Sequence, residues 1–571
     1  MRRWLARLAS LAGMEGHPLF IVAASVAERL VLGAMAASLA FWLAVAPLSP
    51  YPGQITMDLG DPPAYLCAAR ALASGSPDPG YFSAEYPGGT LGYPRRHFVP
   101  VAVVAVLGTL SRGAGWGHSL TAYCGVAALL LFGVLAEIAA GGAVERARSR
   151  ALLASGFLVL PAHFVLAGLG CVTFLGALGF ATCVALFVGR EGGLGRRFLL
   201  ATFPVAFMAL VRPEAALLVV VLGVIVVVRV IVWLWARRPQ VAAPTSVVAL
   251  GLVVVVVWWK VPEMVRAVGG RAPSLSFLHL AYDERAGRFR ALHEPPWELN
   301  RGYCRQNLNP GAPKTEPCNP RVGEEIRAHP VAFLAWLLGR FGQTALYFVR
   351  AVSVAQWEFR PLAGVPAVAL VVALMLLAML ARGAAPFVVA AALVVVALPA
   401  ANRMAHVRHL LLVSPVVLAL GVRAVWTRWG DRLAALAGRR WFMVVAGAGL
   451  SLLAFLDCRS IIRIRTYWPN RCYEHLLADI ERVAAPGDLV AATYPQLVAH
   501  ATGRRCVGGT WLTENLSGLV AMWRPEVVVV DDFNEVARNY QKLMETGGHL
   551  AGYEPVVHNR RERYLVFRRK D

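Results

Sequence analysis

The chain has 571 residues, of which 57% are hydrophobic and 16% charged, and its formal net charge is +22. A soluble protein carries roughly a quarter of its residues as charges. The mean hydropathy of +0.56 excludes a soluble enzyme, a disordered chain and a secreted disulfide scaffold, and leaves a polytopic membrane protein. Its excess positive charge calls for either a nucleic-acid partner or arginine-rich cytoplasmic loops.

In chain order, residues 2–12 read as an amphipathic cytoplasmic helix, and no cleavable signal stands out. A bilayer core takes about 20 apolar residues per helix. Spans are expected at 29–48, 119–141, 151–169, 170–189, 198–211, 213–236, 245–261, 361–381, 385–401, 409–426 and 441–457. The apolar stretch 98–110 is too short to join them and suits an interfacial or re-entrant helix. With that choice, Arg146, Arg148 and Arg150, Arg190, Arg196 and Arg197, Arg237 and Arg238, Arg382, and the group from Arg423 to Arg440 all fall inside. The N-terminus, with Arg2, Arg3 and Arg7, is then cytoplasmic and the C-terminal end outside. Most of the positive charge thus encodes orientation. No basic nucleic-acid motif is present, and that partner is dropped.

The expected fold class is therefore a polytopic α-helical membrane protein of about eleven spans with a C-terminal soluble α/β domain. Residues 1–458 form the membrane part, with outer loops at 49–118 and 262–360. Residues 459–571 form the extracytoplasmic domain. In that tail, helical patterns at 471–484, 495–502 and 533–546 alternate with strand-like runs at 488–493, 527–531 and 564–567. Gly503, Gly508 and Gly509 read as turn residues and form no dinucleotide fingerprint.

Nine cysteines are present. Cys124, Cys171 and Cys183 lie within spans as small packing residues. Cys304 and Cys318 share the second outer loop and are a candidate disulfide if the outside is oxidising. No pair has zinc-like spacing, so no metal site is expected.

The first outer loop carries Asp58 and then Asp61-Pro62-Pro63-Ala64-Tyr65. Prolines suit the first turn of a helix. Asp61 then either caps an interfacial helix, with Tyr65, Ala69 and Leu72 on one face, or is a surface carboxylate that takes a proton from a hydroxyl. Arg212 and Glu214 lie at one outer span junction, and Arg403, His406 and Arg408 at another. Arginines at bilayer depth face a cavity or a partner, and guanidinium groups from separate helices suit a phosphate head group. Snorkelling, or pairing of Arg212 with Glu214, is the alternative. Arg95, Arg96 and His97 precede the interfacial helix, either to assist at the head group or to anchor that helix to anionic lipid.

Taken in order, DPPAYLCAARALASG after the first span, LVRPEAALL at 210–218, HPVAFLAWLLGRF at 329–341, RHLLLVSP at 408–415 and ATYPQLVAHATGRRCVG at 492–508 resemble the GT-C membrane glycosyltransferases. The likeness is to the bacterial branch related to lipopolysaccharide sugar transferases, lipid A aminoarabinose transferases and protein O-mannosyltransferases. The resemblance implies a polyprenyl-phosphate-sugar donor, a hydroxyl acceptor in the cell envelope and a place in the cytoplasmic membrane with membrane lipid around it. It implies no tightly bound cofactor. Asp61, or Asp58, is the implied base. Arg212 and Arg408, with Arg403, lie near the donor phosphate, and Arg95, Arg96, His97, Glu214 and His406 are head-group or acceptor contacts. Two departures stand out. Asp58 is a second carboxylate, and 168–174 (GLGCVTF) lacks the acid often found there in relatives. The competing readings are an envelope polysaccharide polymerase or ligase using a lipid-diphosphate donor, and a lipid-linked sugar transporter or flippase.

Overall fold

The computed structural model describes residues 61–76, 80–83, 98–110, 173–188, 280–291, 322–352, 365–401, 410–437, 468–508, 523–532 and 539–570, with single residues within 120–139, 204–223 and 516–521. In chain order come α1 (Asp61–Ala73), β1 (Tyr81–Ser83) and α2 (Phe98–Leu110). Then come α3 (Thr173–Val188), the hairpin β2 (Leu280–Asp283) and β3 (Arg288–Ala291), α4 (Val322–Ala328) and α5 (Pro330–Val352). Three further helices follow: α6 (Val365–Met379), α7 (Ala385–Ala401) and α8 (Ser414–Ala437). The tail holds α9 (Trp468–Val483), β4 (Leu489–Ala492), α10 (Pro495–Thr502), β5 (Arg505–Gly508), β6 (Val527–Asp531), α11 (Asn539–Glu545), β7 (Tyr553–Asn559) and β8 (Tyr564–Arg569).

The chain divides into two compact units: 1–48 with 124–300 and 319–461, and 49–123 with 301–318 and 462–571. In the first, α6 packs along α8. Gly421 sits at their contact, where a Cβ would stand 2.7 Å from Leu374 Cδ1 and that side chain would have to shift. Phe187 of α3 meets Phe387 of α7 with ring centroids 5.7 Å apart. Cys183 is buried in α3, as a packing residue would be.

Helices α6 and α7 fall on two of the expected spans. With 15 and 17 residues, they are shorter than the ~20 that a bilayer core takes. Helix α8 is longer, 24 residues, but it continues through Arg423, Arg428, Asp431 and Arg432. Among the described residues, no helix is long and apolar enough to cross a membrane. Helix α3, 16 residues long, falls on the span expected at 170–189. Single helical residues fall within 119–141, and the other expected spans lie wholly or mostly outside the described residues.

The second unit is built on a six-stranded sheet of order β1-β5-β4-β6-β8-β7. Strands β1, β5, β4 and β6 are parallel, and β8 pairs antiparallel with both β6 and β7. β6 reads VVVVD and is buried throughout, as a central strand covered on both faces should be. One face carries Val490, Ala492, Cys506, Val527, Val529, Tyr564 and Val566 against Leu476, Leu477 and Ile480 of α9, Leu497 and Val498 of α10, and Ala64 and Cys67 of α1. The opposite face carries Ala491, Val507, Val528, Val530, Leu565 and Phe567 against Leu543 and Leu550.

The tail elements expected at 495–502 and 527–531 occur with those bounds. Gly503 is the left-handed cap that ends α10, at φ 66°, a conformation that costs a Cβ-free residue least. Gly508 differs from expectation. It is the last residue of β5, paired with Ser83 and Ala492, and no turn falls there because β1 and β4 hold it from both sides. Gly509 lies outside the described residues.

Candidate functional site

The helix that opens at Asp61 can be followed from its sequence to its surroundings. Pro62 and Pro63 occupy the first turn, where missing N–H groups cost nothing, and the Ala- and Leu-rich remainder favours helix. It ends where Ser74 N donates to Arg70 O, Ser76 N donates to Ala71 O and Gly75 turns left-handed at φ 67°. That is the usual way a glycine after the last turn satisfies spare carbonyls.

The expected one-sided interfacial helix is not what packs here. Every residue from Pro63 to Ala69 is buried, whereas Leu72, placed on one face with Tyr65 and Ala69, is 47% exposed. The reason is that α1 has neighbours on more than one side: it packs against α2 and against α10. α2 has the bounds expected for the short apolar helix, 98–110. It buries Val101, Val104, Ala105 and Gly108, a helical i, i+3, i+4, i+7 stripe. Its other side exposes Val103, Val106 and Leu110.

Polar contacts tie α1 to α10. Arg70 Nη1 donates to His500 O at 3.0 Å, a carbonyl in the last turn of α10 where helix carbonyls lack intrahelical donors. Cys67 Sγ approaches Gln496 O at 3.5 Å. Beyond α1, Cys506 N donates to Gly80 O at 2.9 Å and carries the loop into the strand pairing of β1 with β5. Burial pushes the Cys67 thiol up to about 12, against the pull of Arg70. Cys506 is pushed well up by burial and then by Cys67, with Arg504 opposing. Both therefore stay thiols and serve packing, because only a thiolate is an effective nucleophile. Burial, then Arg70, lowers His500 to about 3, so its ring is neutral at physiological pH, with Nδ1 buried and without a hydrogen-bond partner.

Two other quoted motifs also fold locally. His329 stacks on Tyr282 with centroids 3.6 Å apart, and Glu325 Oε2 accepts from Tyr282 N at 2.9 Å. Phe289 meets Phe333 at 5.7 Å, and the Arg340 guanidinium lies 5.5 Å over Trp336. The 329–341 motif thus seats the β2–β3 hairpin on the start of α5. In the 408–415 motif, Leu410 to Val413 form a buried turn into α8.

Asp61 is placed by its backbone as the first residue of α1. Asp58, Arg95, Arg96, His97, Arg212, Glu214, Arg403, His406, Arg408, Cys304 and Cys318 lie outside the described residues. Arg70 and His500 went unnoticed as a pair in the sequence. Each sits inside a quoted motif, but nothing in a single sequence couples two positions 430 apart.

No protein-family profile and no curated protein matches the chain. Solved structures do resemble it. The oligosaccharyltransferase of Archaeoglobus fulgidus, in complex with zinc and sulfate, is 13% identical, with 91% of this chain and 71% of that one covered and a TM-score of 0.46. ArnT from Cupriavidus metallidurans bound to undecaprenyl phosphate is 15% identical, covering 93% of this chain and 97% of that one at a TM-score of 0.39. Its apo form is 14% identical, covering 95% and 98%, also at 0.39. Both neighbours are GT-C membrane glycosyltransferases.

Proposed function

We propose that this chain is a membrane glycosyltransferase. It moves a sugar from a polyprenyl-phosphate donor to a hydroxyl of a cell-envelope acceptor, on the outer face of the cytoplasmic membrane. The observation that carries the reading is the acid-headed helix α1. Asp61 opens a helix that is buried from Pro63 to Ala69, so an acid stands at the head of a fixed rod. The exposed apolar side of α2, Val103, Val106 and Leu110, supports a membrane setting, since contiguous apolar surface of this kind marks contact with something other than water.

The chemistry follows from the groups assigned by the resemblance. The Asp61 carboxylate, with Asp58 as the alternative, accepts the acceptor's hydroxyl proton as its oxygen bonds to the anomeric carbon. The bond from that carbon to the phosphate oxygen breaks, and the polyprenyl phosphate leaves with the electron pair. Arg212 and Arg408, with Arg403, meet the charge that develops, and guanidinium groups keep their protons while doing so. Attack opposite the leaving phosphate inverts the anomeric centre.

Asp61→Asn should abolish transfer from a polyprenyl-phosphate sugar while the protein still inserts and folds. Full activity in that variant would remove Asp61 as the base, and Asp58→Asn is then the variant to assay. The same pair of assays tells this reaction from a polymerase or ligase with a lipid-diphosphate donor, which does not need Asp61.

A further inference from the structure

We propose that the tail is a clamp for the acid-headed helix, with Arg70 and His500 as positioning residues that act through α1 on Asp61. The inference rests on the glycosyl-transfer reading for its catalytic consequence, but its structural half stands on the packing of the second unit alone.

Three attachments join α1 and its flank to the tail, and each lands on residues 495–508. The first is the core itself, where Ala64 and Cys67 of α1 share one cluster with Leu497, Val498 and Cys506. The second is strand β1, held parallel to β5 in the register Tyr81↔Cys506, Phe82↔Val507 and Ser83↔Gly508. The third is Arg70, whose guanidinium donates to the His500 carbonyl at 3.0 Å. A 13-residue helix is marginal by itself in water, and its order comes from what packs on it. With a rise of 1.5 Å per residue, Arg70 grips the helix about 14 Å from Asp61. A helix transmits displacement along its axis, so loosening one end shifts the other. Misplacing a catalytic group by about 1 Å can cost a hundredfold in rate.

The His500 side chain fits the same role. Its carbonyl is the acceptor for Arg70, and its neutral ring puts no second cation beside the guanidinium. Arg70 donates one guanidinium N–H, from Nη1, to a carbonyl near a helix end, where positive charge is favourable. Lysine keeps the charge and can still reach a carbonyl; leucine keeps bulk and loses both.

The test uses the full-length protein in lipid nanodiscs, comparing wild type with Arg70→Leu, Arg70→Lys and Leu543→Ala. Leu543 lies on the opposite face of the sheet, so its variant destabilises the tail without touching α1. Amide hydrogen exchange over residues 65–73 should rise about tenfold or more in Arg70→Leu, recover in Arg70→Lys and stay near wild type in Leu543→Ala. With total polyprenyl-phosphate sugars from the source membranes as donor, Arg70→Leu should lower kcat about tenfold and leave the donor KM within about twofold. Arg70→Lys should restore most of that loss. Unchanged exchange over 65–73 in Arg70→Leu overturns the clamp. Faster exchange with unchanged kcat overturns the positioning role. If wild type transfers no sugar, the glycosyltransferase reading falls, and the exchange measurement still decides the clamp.

Discussion

Helices α1 and α6 invert what their sequences suggest. α1 (DPPAYLCAARALA) is only mildly apolar and yet is buried without interruption from Pro63 to Ala69. α6 (VPAVALVVALMLLAM) is apolar along its whole length and leaves Val365, Leu370, Val372, Leu376 and Met379 exposed. Its buried side is the stripe Ala367, Val371, Met375 and Ala378, spaced four, four and three residues apart. The helix packs against α8, α5 and α7, as helix ridges seated in neighbouring grooves do. Burial inside protein depends on how fully neighbours wrap around a helix, whereas apolarity all round reports what meets the side they leave open. α1 has α2, α10 and one face of the sheet. α6 has protein on one side and, on the proposed reading, lipid on the other.

The largest effect expected from breaking this contrast is at Ala69, which has no exposed surface. Ala69→Asp buries an unpaired charge between packed elements and should cost about 4 kcal/mol or more. Limited proteolysis should then release the tail from the membrane fraction in an unfolded, protease-sensitive form.

A second, smaller effect lies at the seam between α1 and α10. The folded His500 resists a proton down to about pH 3, while an unfolded histidine takes one near pH 6.5. The unfolded state therefore binds more protons in this window, and stability falls as pH drops from about 6.5 toward 3, by at most about 1.4 kcal/mol per pH unit from this residue. Above pH 6.5 the residue contributes no pH dependence. His500→Gln should flatten the acid limb of the melting temperature against pH, and an identical limb in both proteins would show that the seam admits water.

The finest probe is a matched pair of leucines. Leu72 of α1 is 47% exposed and Leu370 of α6 is 46% exposed, so both lose a similar contact area on truncation to serine. If water surrounds Leu72 and acyl chains surround Leu370, Leu72→Ser should stay within about 0.5 kcal/mol. Leu370→Ser should lose about 1 kcal/mol when unfolding is followed in lipid vesicles. Equal losses would mean equal surroundings and would count against a lipid-facing α6.

Much of this contrast was legible in the sequence, but unevenly. Short elements bounded by strong local signals came out well: 98–110 by its apolar run, 495–502 between Pro495 and Gly503, and 527–531 by its valine run. Asp61 could be placed at a helix start because two prolines follow it. β1 could not be foreseen. Its three residues, Tyr81 to Ser83, have no pattern of their own and become a strand only because β5 presents an open edge. β5 was missed for a related reason, since RCVG is short, mixed and ends in glycine. β7 was hidden by a proline and by an irregularity in its register between Pro555 and Val557. The continuous burial of α1 could not be read from its spacing, because a shared face is informative about burial only when the opposite face meets solvent. Reading the motifs one by one missed the bond from Arg70 to His500, since it joins two motifs at opposite ends of the sequence.

The edge position of β1 also sets an order of events during synthesis. The loop that bears Asp61 leaves the ribosome early, yet Cys67 and its contact Gln496 are 429 residues apart. Contacts at such separation form late, because chain entropy must be lost before they return anything. β5 cannot receive β1 until β4 stands beside it, and β4 in turn rests on β6, which is braced by β8 at 564–569. The acid-headed helix has α2 beside it early but waits for its contacts with the tail until nearly the whole chain is translated. A chain stalled or cleaved before residue 564 keeps α1 and lacks the strand that braces the sheet behind it, so on the proposed reading partial products of translation are born inactive.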